Sequence, residues 1–140
     1  MYRATILWLS LFLFACGRRP EITFSRYIRE GKEFVAKKDY PRALLQFKNA
    51  SKCMPKDAEP YYQLGLIAIA SGDMQAASEY LYRATLLNPK RPDAKIALSG
   101  LLIRSADPSA IDEGRRLAQQ VLAMTSEDVE GLNLVALELS

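Results

Sequence analysis

The chain has 140 residues, of which 49% are hydrophobic and 25% charged, so it can bury the core of one domain. Its net charge is only +3, from 19 basic and 16 acidic residues that are interspersed, whereas a nucleic-acid-binding protein carries a dense basic face. It has no histidine, and its two cysteines alone cannot form a zinc site. We therefore expect no nucleic-acid partner, no metal or cofactor, and no catalytic residues.

The first fifteen residues have the pattern of an export signal. A positive charge at Arg3 precedes an apolar run at residues 6–15 (ILWLSLFLFA), which is shorter than the roughly 20 residues that a bilayer-spanning helix needs. The run ends in LFACG at residues 13–17, which resembles the lipobox of bacterial lipoproteins, although Phe14 departs from the usual small or β-branched residue. This resemblance implies that residues 1–15 are removed and that Cys16 carries palmitate and other acyl chains.

A lipidated Cys16 would hold the mature chain at a membrane, since each buried CH₂ contributes about 0.8 kcal/mol and stable anchoring takes more than one chain. Residues 16–23 then form a tether that faces the periplasm of a bacterial cell envelope. Gly17 favours the outer membrane, because an aspartate at this position favours the inner one in enteric-type lipoproteins. Two other interpretations stay open: residues 1–15 are an uncleaved anchor, or an ordinary cleavable signal.

Two consecutive stretches later in the chain carry similar residues at positions 34 residues apart. Apolar residues within each stretch have the spacing of helices, and Pro41 and Gly72 mark the turns between them. A period of 34 with helical spacing predicts stacked helical hairpins. The pairs in register are Tyr27 and Tyr61, Gly31 and Gly65, Asp39 and Asp73, Ala43 and Ala77, Phe47 and Leu81, Ala50 and Ala84, and Pro55 and Pro89.

A third unit keeps this register as far as Asp107, but Gly114 lies three positions later than the register of Ala77 requires. We expect the three extra residues in the turn at 106–110. Ser126 stands where the earlier units close with a proline. The apolar positions after it fit the first helix of a fourth unit, which is either a truncated repeat or a helix that pairs with another molecule.

The repeated pattern resembles the tetratricopeptide repeat, W-x₂-L-G-x₂-Y, then A-x₃-F, then P. The first unit reads Y-x₂-E-G-x₂-F, A-x₃-F and P, and the second reads Y-x₂-L-G-x₂-A, A-x₃-L and P. The resemblance implies an all-α, right-handed superhelical solenoid of antiparallel helix hairpins, with units at 24–57, 58–91 and 92–128 and a partial fourth at 129–140. Residues expected to pack the hairpins are Tyr27, Gly31, Ala43, Phe47, Tyr61, Gly65, Ala77, Leu81 and Ala84.

In that family the first helix of each hairpin lines a concave groove. By register, this groove would consist of Ile28, Lys32, Val35, Tyr62, Leu66, Ile69, Ile96, Gly100 and Ile103, followed by Asn133 and Leu137. An apolar groove with one aromatic residue suits a helix or an extended apolar segment as its ligand. The alternative is that these side chains pack against neighbouring repeats. Cys53 is likewise either a small buried hydrophobe or a thiol that pairs with a partner.

These features favour a membrane-anchored scaffold of a bacterial cell envelope, which binds other envelope proteins within an assembly, pilus or polysaccharide or protein export system. We expect no enzymatic activity and no small-molecule substrate. The alternative is the N-terminal tetratricopeptide fragment of a larger envelope enzyme, with a catalytic domain beyond residue 140. A lipid- or glycan-binding solenoid would need an enclosed cavity, which three hairpins do not readily form.

Overall fold

The computed structural model describes residues 20–138, which form six helices and no strand. Each helix packs on the next, most extensively within the pairs α1–α2, α3–α4 and α5–α6. The predicted all-α array of stacked helix hairpins is therefore confirmed. The helices are α1 (Pro20–Ala36), α2 (Tyr40–Cys53), α3 (Ala58–Ala70), α4 (Met74–Leu87), α5 (Pro92–Ile103) and α6 (Pro108–Glu138).

An aspartate fixes the start of the second helix in every hairpin. Asp39 Oδ1 accepts a hydrogen bond from the Arg42 amide at 3.2 Å, and Asp73 Oδ1 accepts one from the Ala76 amide at 3.0 Å. Asp107, one repeat further along the chain, accepts from the Ser109 amide at 3.0 Å. Each cap satisfies a backbone donor that the first turn of a helix leaves free. The repeat register thus sets where these helices begin.

Small residues let the two helices of a hairpin approach closely. A Cβ atom added to Gly31 would lie 2.6 Å from Phe47 Cε1, and one added to Gly65 would lie 2.6 Å from Leu81 Cγ. In the third hairpin, a Cβ atom on Gly114 would lie 2.9 Å from Ile103 Cγ1. Among the residues expected to pack the hairpins, all are buried except Tyr27, which is half-buried.

Residues 20–23 differ from the sequence expectation, which placed them in a tether. They form the first turn of α1 instead. Pro20 is compatible with this turn because the amide hydrogen it lacks would have no partner there, and the negative charge of Glu21 favours a helix N-terminus. Residues 16–19, the rest of the predicted tether, lie outside the described part of the chain.

The three extra residues of the third unit were expected in the turn at 106–110, and this expectation was wrong. Helix α6 begins at Pro108, which is in register with the start of α4 at Met74. Gly114 and Val121 are nevertheless buried like Ala77 and Ala84, although each lies three positions beyond the register of that counterpart in α4, and Ala118, the counterpart of Leu81, is half-buried. Because three residues are close to one helical turn, α6 accommodates them as an additional N-terminal turn without changing its packed face.

Helix α6 also continues across the predicted boundary between the third and fourth units at residue 128. It extends without interruption to Glu138. No proline stops it at position 126, and the hydroxyls of Thr125 and Ser126 donate to the carbonyls of Val121 and Ala123 within the same helix. A hydroxyl that donates to a carbonyl of its own helix makes its hydrogen bond within the helix, so it does not end the helix.

Candidate functional site

The predicted groove residues of the first three units lie on the first helices of the hairpins. Ile28 and Val35 on α1 are half-buried and pack against a core cluster that contains Phe47 and Leu64. Tyr62 and Ile69 on α3 pack in the same way against clusters formed with the third hairpin. These four side chains therefore pack against neighbouring repeats, which is the alternative to lining an open groove.

The remaining groove residues are more accessible. Ile96 and Ile103 on α5 are 57% and 42% exposed, and Leu66 on α3 is half-buried outside the apolar clusters. Lys32 on α1 has a side chain that is 54% exposed. Asn133 and Leu137 have side chains outside the described part of the chain. The accessible groove therefore consists of apolar side chains on α3 and α5 and one lysine on α1.

A network of ion pairs crosses this face, although the groove was expected to be apolar apart from Lys32. Lys32 Nζ lies 2.7 Å from Glu59 Oε1, and Arg91 Nη1 lies 2.6 Å from Glu59 Oε2. Arg91 also donates to both carboxylate oxygens of Asp93, at 2.7 and 2.9 Å. The network links α1, the start of α3 and the start of α5, so it connects all three hairpins.

Arg91 is the centre of the network. Its guanidinium lies 4.4 Å from the centroid of the Tyr62 ring, and only 19% of its side chain is exposed. The fork of a guanidinium can bind two carboxylates and stack on an aromatic face at the same time, which the ammonium of lysine cannot do. The position of Tyr62 in the groove is therefore set by Arg91 as well as by the apolar core.

The electrostatics of the network follow from these contacts. Burial raises the pKa of Glu59, but the hydrogen bonds from Lys32, Gln63 and Arg91 outweigh it and leave the pKa below its usual value. The hydrogen bonds from Arg91 likewise lower the pKa of Asp93. Burial, and then the charge of Asp93, raise the pKa of the Tyr62 phenol. Both carboxylates are thus held ionised near neutral pH, and Tyr62 is held neutral.

Glu59, Arg91 and Asp93 were not predicted from the sequence as members of this site. One signal was available, since Glu59 and Asp93 are one repeat apart and occupy the same register position near the start of a first helix. Arg91 has no basic counterpart in the preceding repeat, where Asp57 takes its register position and caps α3. The role of Arg91 depends on two neighbouring hairpins at once, which a pairwise repeat comparison does not reveal.

A comparison with protein-family models matches residues 58–91, which contain α3 and α4, to the tetratricopeptide repeat. The central hairpin is a tetratricopeptide repeat. The match coincides with the second predicted unit and includes both Glu59 and Arg91. The ion-pair site is therefore carried by the first helix of the matched hairpin and by the start of the helix that follows it.

Similar curated proteins are known. The chain is 29% identical over 106 residues to the probable biofilm formation methyltransferase WspC of Pseudomonas putida, an alignment that covers 76% of this chain and 22% of that protein. It is 29% identical over 82 residues to the cytochrome c-type biogenesis protein CcmH of Escherichia coli, covering 59% of this chain and 23% of the relative. The alignment to CcmH of Shigella flexneri has the same extent. The aligned parts of this chain span less than a quarter of each relative's length.

Other features of the helix-hairpin array involve residues outside the ion-pair network. Among residues 20–126, whose side chains the structure describes, no cluster of acidic or thiol side chains could hold a metal ion. No described helix combines the length and apolar character that crossing a membrane requires. Cys53 is a half-buried free thiol at the end of α2. A cavity of about 470 Å³ lies between Ile69, Met74 and Leu101, at the turn side of the second and third hairpins.

Proposed function

We propose that this chain is a non-enzymatic scaffold that binds a protein partner along the first helices of its tetratricopeptide hairpins. Tetratricopeptide arrays present extended surfaces to protein partners in general. The observation that carries the proposal is the juxtaposition on one face of accessible apolar residues, Leu66 and Ile96, with the ion-pair network around Arg91. This combination suits a partner segment with one apolar side and polar groups beside it.

We further propose that the scaffold belongs to a bacterial cell envelope, within an assembly, pilus or export system. Two arguments support this. The sequence of residues 1–17 resembles a lipoprotein signal, and one relative is named for cytochrome c biogenesis, which is an assembly process. Cys16 itself lies outside the described residues. On this proposal its acyl chains hold the array at the periplasmic side of a membrane, with the outer membrane favoured by Gly17.

The name of the other relative favours a second candidate. WspC is named as a probable methyltransferase, and this chain aligns with only 22% of it. The array could accordingly serve as the protein-binding part of a larger envelope enzyme. A methyltransferase or other catalytic domain encoded directly after residue 140 in the same reading frame would establish this alternative.

The anchor proposal predicts that Cys16→Ser releases the protein from membranes. Serine has no thiol for acylation, so the apolar contribution of the lipid chains is lost and the chain moves to the soluble fraction. The measurement is fractionation of cell envelopes, followed by immunoblotting of an epitope-tagged chain. Cys53→Ser is the matched control and should stay with the membrane. A Cys16→Ser chain that still sediments with membranes contradicts the lipid anchor.

The groove proposal predicts that Leu66→Lys weakens partner binding. Lysine at this half-buried position adds a charge to the apolar part of the groove, so recovery of a groove-bound protein should fall by about tenfold or more. The measurement is affinity capture of the tagged, detergent-extracted chain with quantitative mass spectrometry. Leu86→Lys is the matched control, since Leu86 is 62% exposed on α4, a second helix. Proteins recovered equally with both variants do not bind in the groove.

A further inference from the structure

Gly100, in the middle of α5, is not required by any contact among the described residues. Glycine inside a helix is destabilising relative to alanine, because it loses more conformational freedom on folding. Gly31, Gly65 and Gly114 have a packing reason, since an added Cβ atom would lie 2.6–2.9 Å from a neighbouring side chain, and Gly72 has a φ of +78° in a turn. A Cβ atom on Gly100 would meet no heavy atom of the described residues within 4 Å. Close approach of another molecule is the physical use that such a glycine has.

Two exposed apolar side chains flank Gly100. Ile96 lies four positions before it and Ile103 three positions after it, and these side chains are 57% and 42% exposed. The spacing places all three residues on one face of α5, over about 10.5 Å or two helical turns. On α3 the same register position is taken by Leu66, which has a full side chain and is half-buried. We call Ile96, Gly100 and Ile103 the α5 notch.

A charged residue stands at each end of the α5 notch. Asp93 precedes the notch, and 43% of its side chain is exposed although it belongs to the ion-pair network. Arg104 follows the notch at the C-cap of α5 and is exposed. At about 100° per residue, Asp93, Gly100 and Arg104 lie within about 40° of one another around the helix, and the two charged residues are about 16.5 Å apart along it. A ligand of the notch therefore meets a negative charge at one end and a positive charge at the other.

We propose that the α5 notch binds an amphipathic α-helix of a partner protein, antiparallel to α5, with one large aliphatic side chain inserted over Gly100. This proposal rests on the proposed function and names the chemistry of the partner in the groove. The inserted residue follows an acidic residue of the partner by four positions and precedes a basic residue by seven. This spacing matches Arg104, Gly100 and Asp93 read in the reverse direction.

The shape of the notch favours a helix over an extended segment. The notch follows two turns of a helix, so a second helix along it repeats its contacts at the same pitch of about 5.4 Å. The missing side chain of Gly100 lets the two axes approach towards the short end of the usual 8–10 Å. An extended segment advances about 6.6–6.8 Å between side chains on one face and does not keep this spacing.

The charges favour the antiparallel direction. In this direction the acidic residue of the partner lies nearer the N-terminus of its own helix and faces Arg104, while the basic residue lies nearer the C-terminus and faces Asp93. Both placements also suit the dipole of the partner helix. The parallel direction would reverse both placements.

The test uses synthetic peptides of about 18 residues on an alanine and glutamine background. The first has glutamate at position 4, leucine at positions 5, 8 and 12, and arginine at position 15, which lie on one helical face. The second exchanges the glutamate and the arginine. The third has proline at positions 7 and 11 and cannot form the helix. Binding to the full-length, detergent-extracted chain is measured by fluorescence anisotropy.

We expect the first peptide to bind the wild-type chain, the second to bind at least about fivefold more weakly, and the third not to bind at up to about 1 mM. Gly100→Leu should weaken binding of the first peptide by at least about tenfold, because the leucine fills the notch. Its thermal midpoint should not fall, since leucine has space there and favours a helix more than glycine does. Ala123→Leu is the matched control, which adds the same side chain at an exposed position of α6 and should bind as the wild-type chain does.

The proposal is overturned if the first peptide does not bind below about 1 mM, or if the exchange of charges leaves its affinity unchanged. These comparisons use the wild-type chain and need no variant. Equal binding of the proline peptide would mean an extended ligand, and unchanged affinity of Gly100→Leu would place the ligand elsewhere. A wild-type dimer that Gly100→Leu converts to a monomer, measured by light scattering, would mean that the notch holds a second copy. Each of these results also overturns the proposal.

Failure of this proposal and failure of the proposed function give different results. Partner capture with Leu66→Lys tests the groove without the peptides. If Leu66→Lys loses the captured protein while the peptides do not bind, the scaffold function stands and the helical ligand is wrong. If recovery with Leu66→Lys is unchanged, the groove function itself is wrong.

Discussion

Gly65→Val lowers the thermal midpoint of unfolding by roughly 10 °C, corresponding to about 3 kcal/mol of lost stability. A Cβ atom at this position would lie 2.6 Å from Leu81 Cγ and 2.7 Å from Leu81 Cδ2. Leu81 is fully buried between α3 and α4, so it cannot move aside without displacing other core residues. The added side chain must separate the two helices of the central hairpin. The measurement is circular dichroism at 222 nm during heating.

Gly100→Val is the matched control for this prediction. Gly100 is also in a first helix, but a Cβ atom there meets no heavy atom within 4 Å. The intrinsic effect of valine on a helix is the same at both positions, so the difference between the variants measures the packing alone. Equal thermal midpoints for the two variants would contradict close packing of α3 against α4 at Gly65.

Arg91→Gln should cost about 2 kcal/mol, which is the usual scale for losing hydrogen bonds to a charged group. Glutamine cannot reach two carboxylates with a fork of donors, so Glu59 keeps only Lys32 and Gln63 as partners. The stack on the Tyr62 ring is lost as well. Thermal unfolding at pH 7 measures the effect. Arg83→Gln is the control, because Arg83 stacks on Tyr61 at the same 4.4 Å but has no carboxylate partner among the described residues.

Arg91→Gln should also change how the stability of the chain depends on pH. The pKa values of Glu59 and Asp93 are lowered in the folded chain, so their contribution to stability is present above their unfolded pKa values, near pH 4. It is lost as the pH falls through the folded values. The wild-type chain should therefore lose more stability between pH 7 and pH 3 than Arg91→Gln does. A variant with the same acid sensitivity as the wild-type chain would mean that Arg91 does not hold these carboxylates ionised.

The fold was predictable because its determinants are local and repeated. Asp39, Asp73 and Asp107 cap helices in one register, and Gly31 and Gly65 recur at the closest approach of paired helices. The register did not predict two features of α6, both of which leave the packed face of this helix unchanged. The additional turn at the start of α6 is one such feature, and its continuation past residue 126 is another, because serine permits either a helix or a turn.

The candidate site was predictable only in part. Lys32 and Tyr62 were placed on the groove by register, and both belong to the network that the structure shows. Arg91, Glu59 and Asp93 were not placed on the groove, because ion pairs between hairpins depend on the distance between two units. That distance does not follow from the period within one unit. The split between packed residues such as Ile69 and accessible ones such as Ile103 also depends on neighbouring helices. Residue spacing predicts on which face of a helix a side chain lies, but it does not predict how exposed that side chain is.

The ion pairs from Lys32 through Glu59 and Arg91 to Asp93 have a mechanical consequence. The ion pairs of Glu59 with Lys32 and Arg91 join neighbouring hairpins, so moving these hairpins apart requires separating charged atoms that lie 2.6–2.7 Å apart. The spacing between neighbouring first helices is therefore held by ion pairs as well as by apolar contacts.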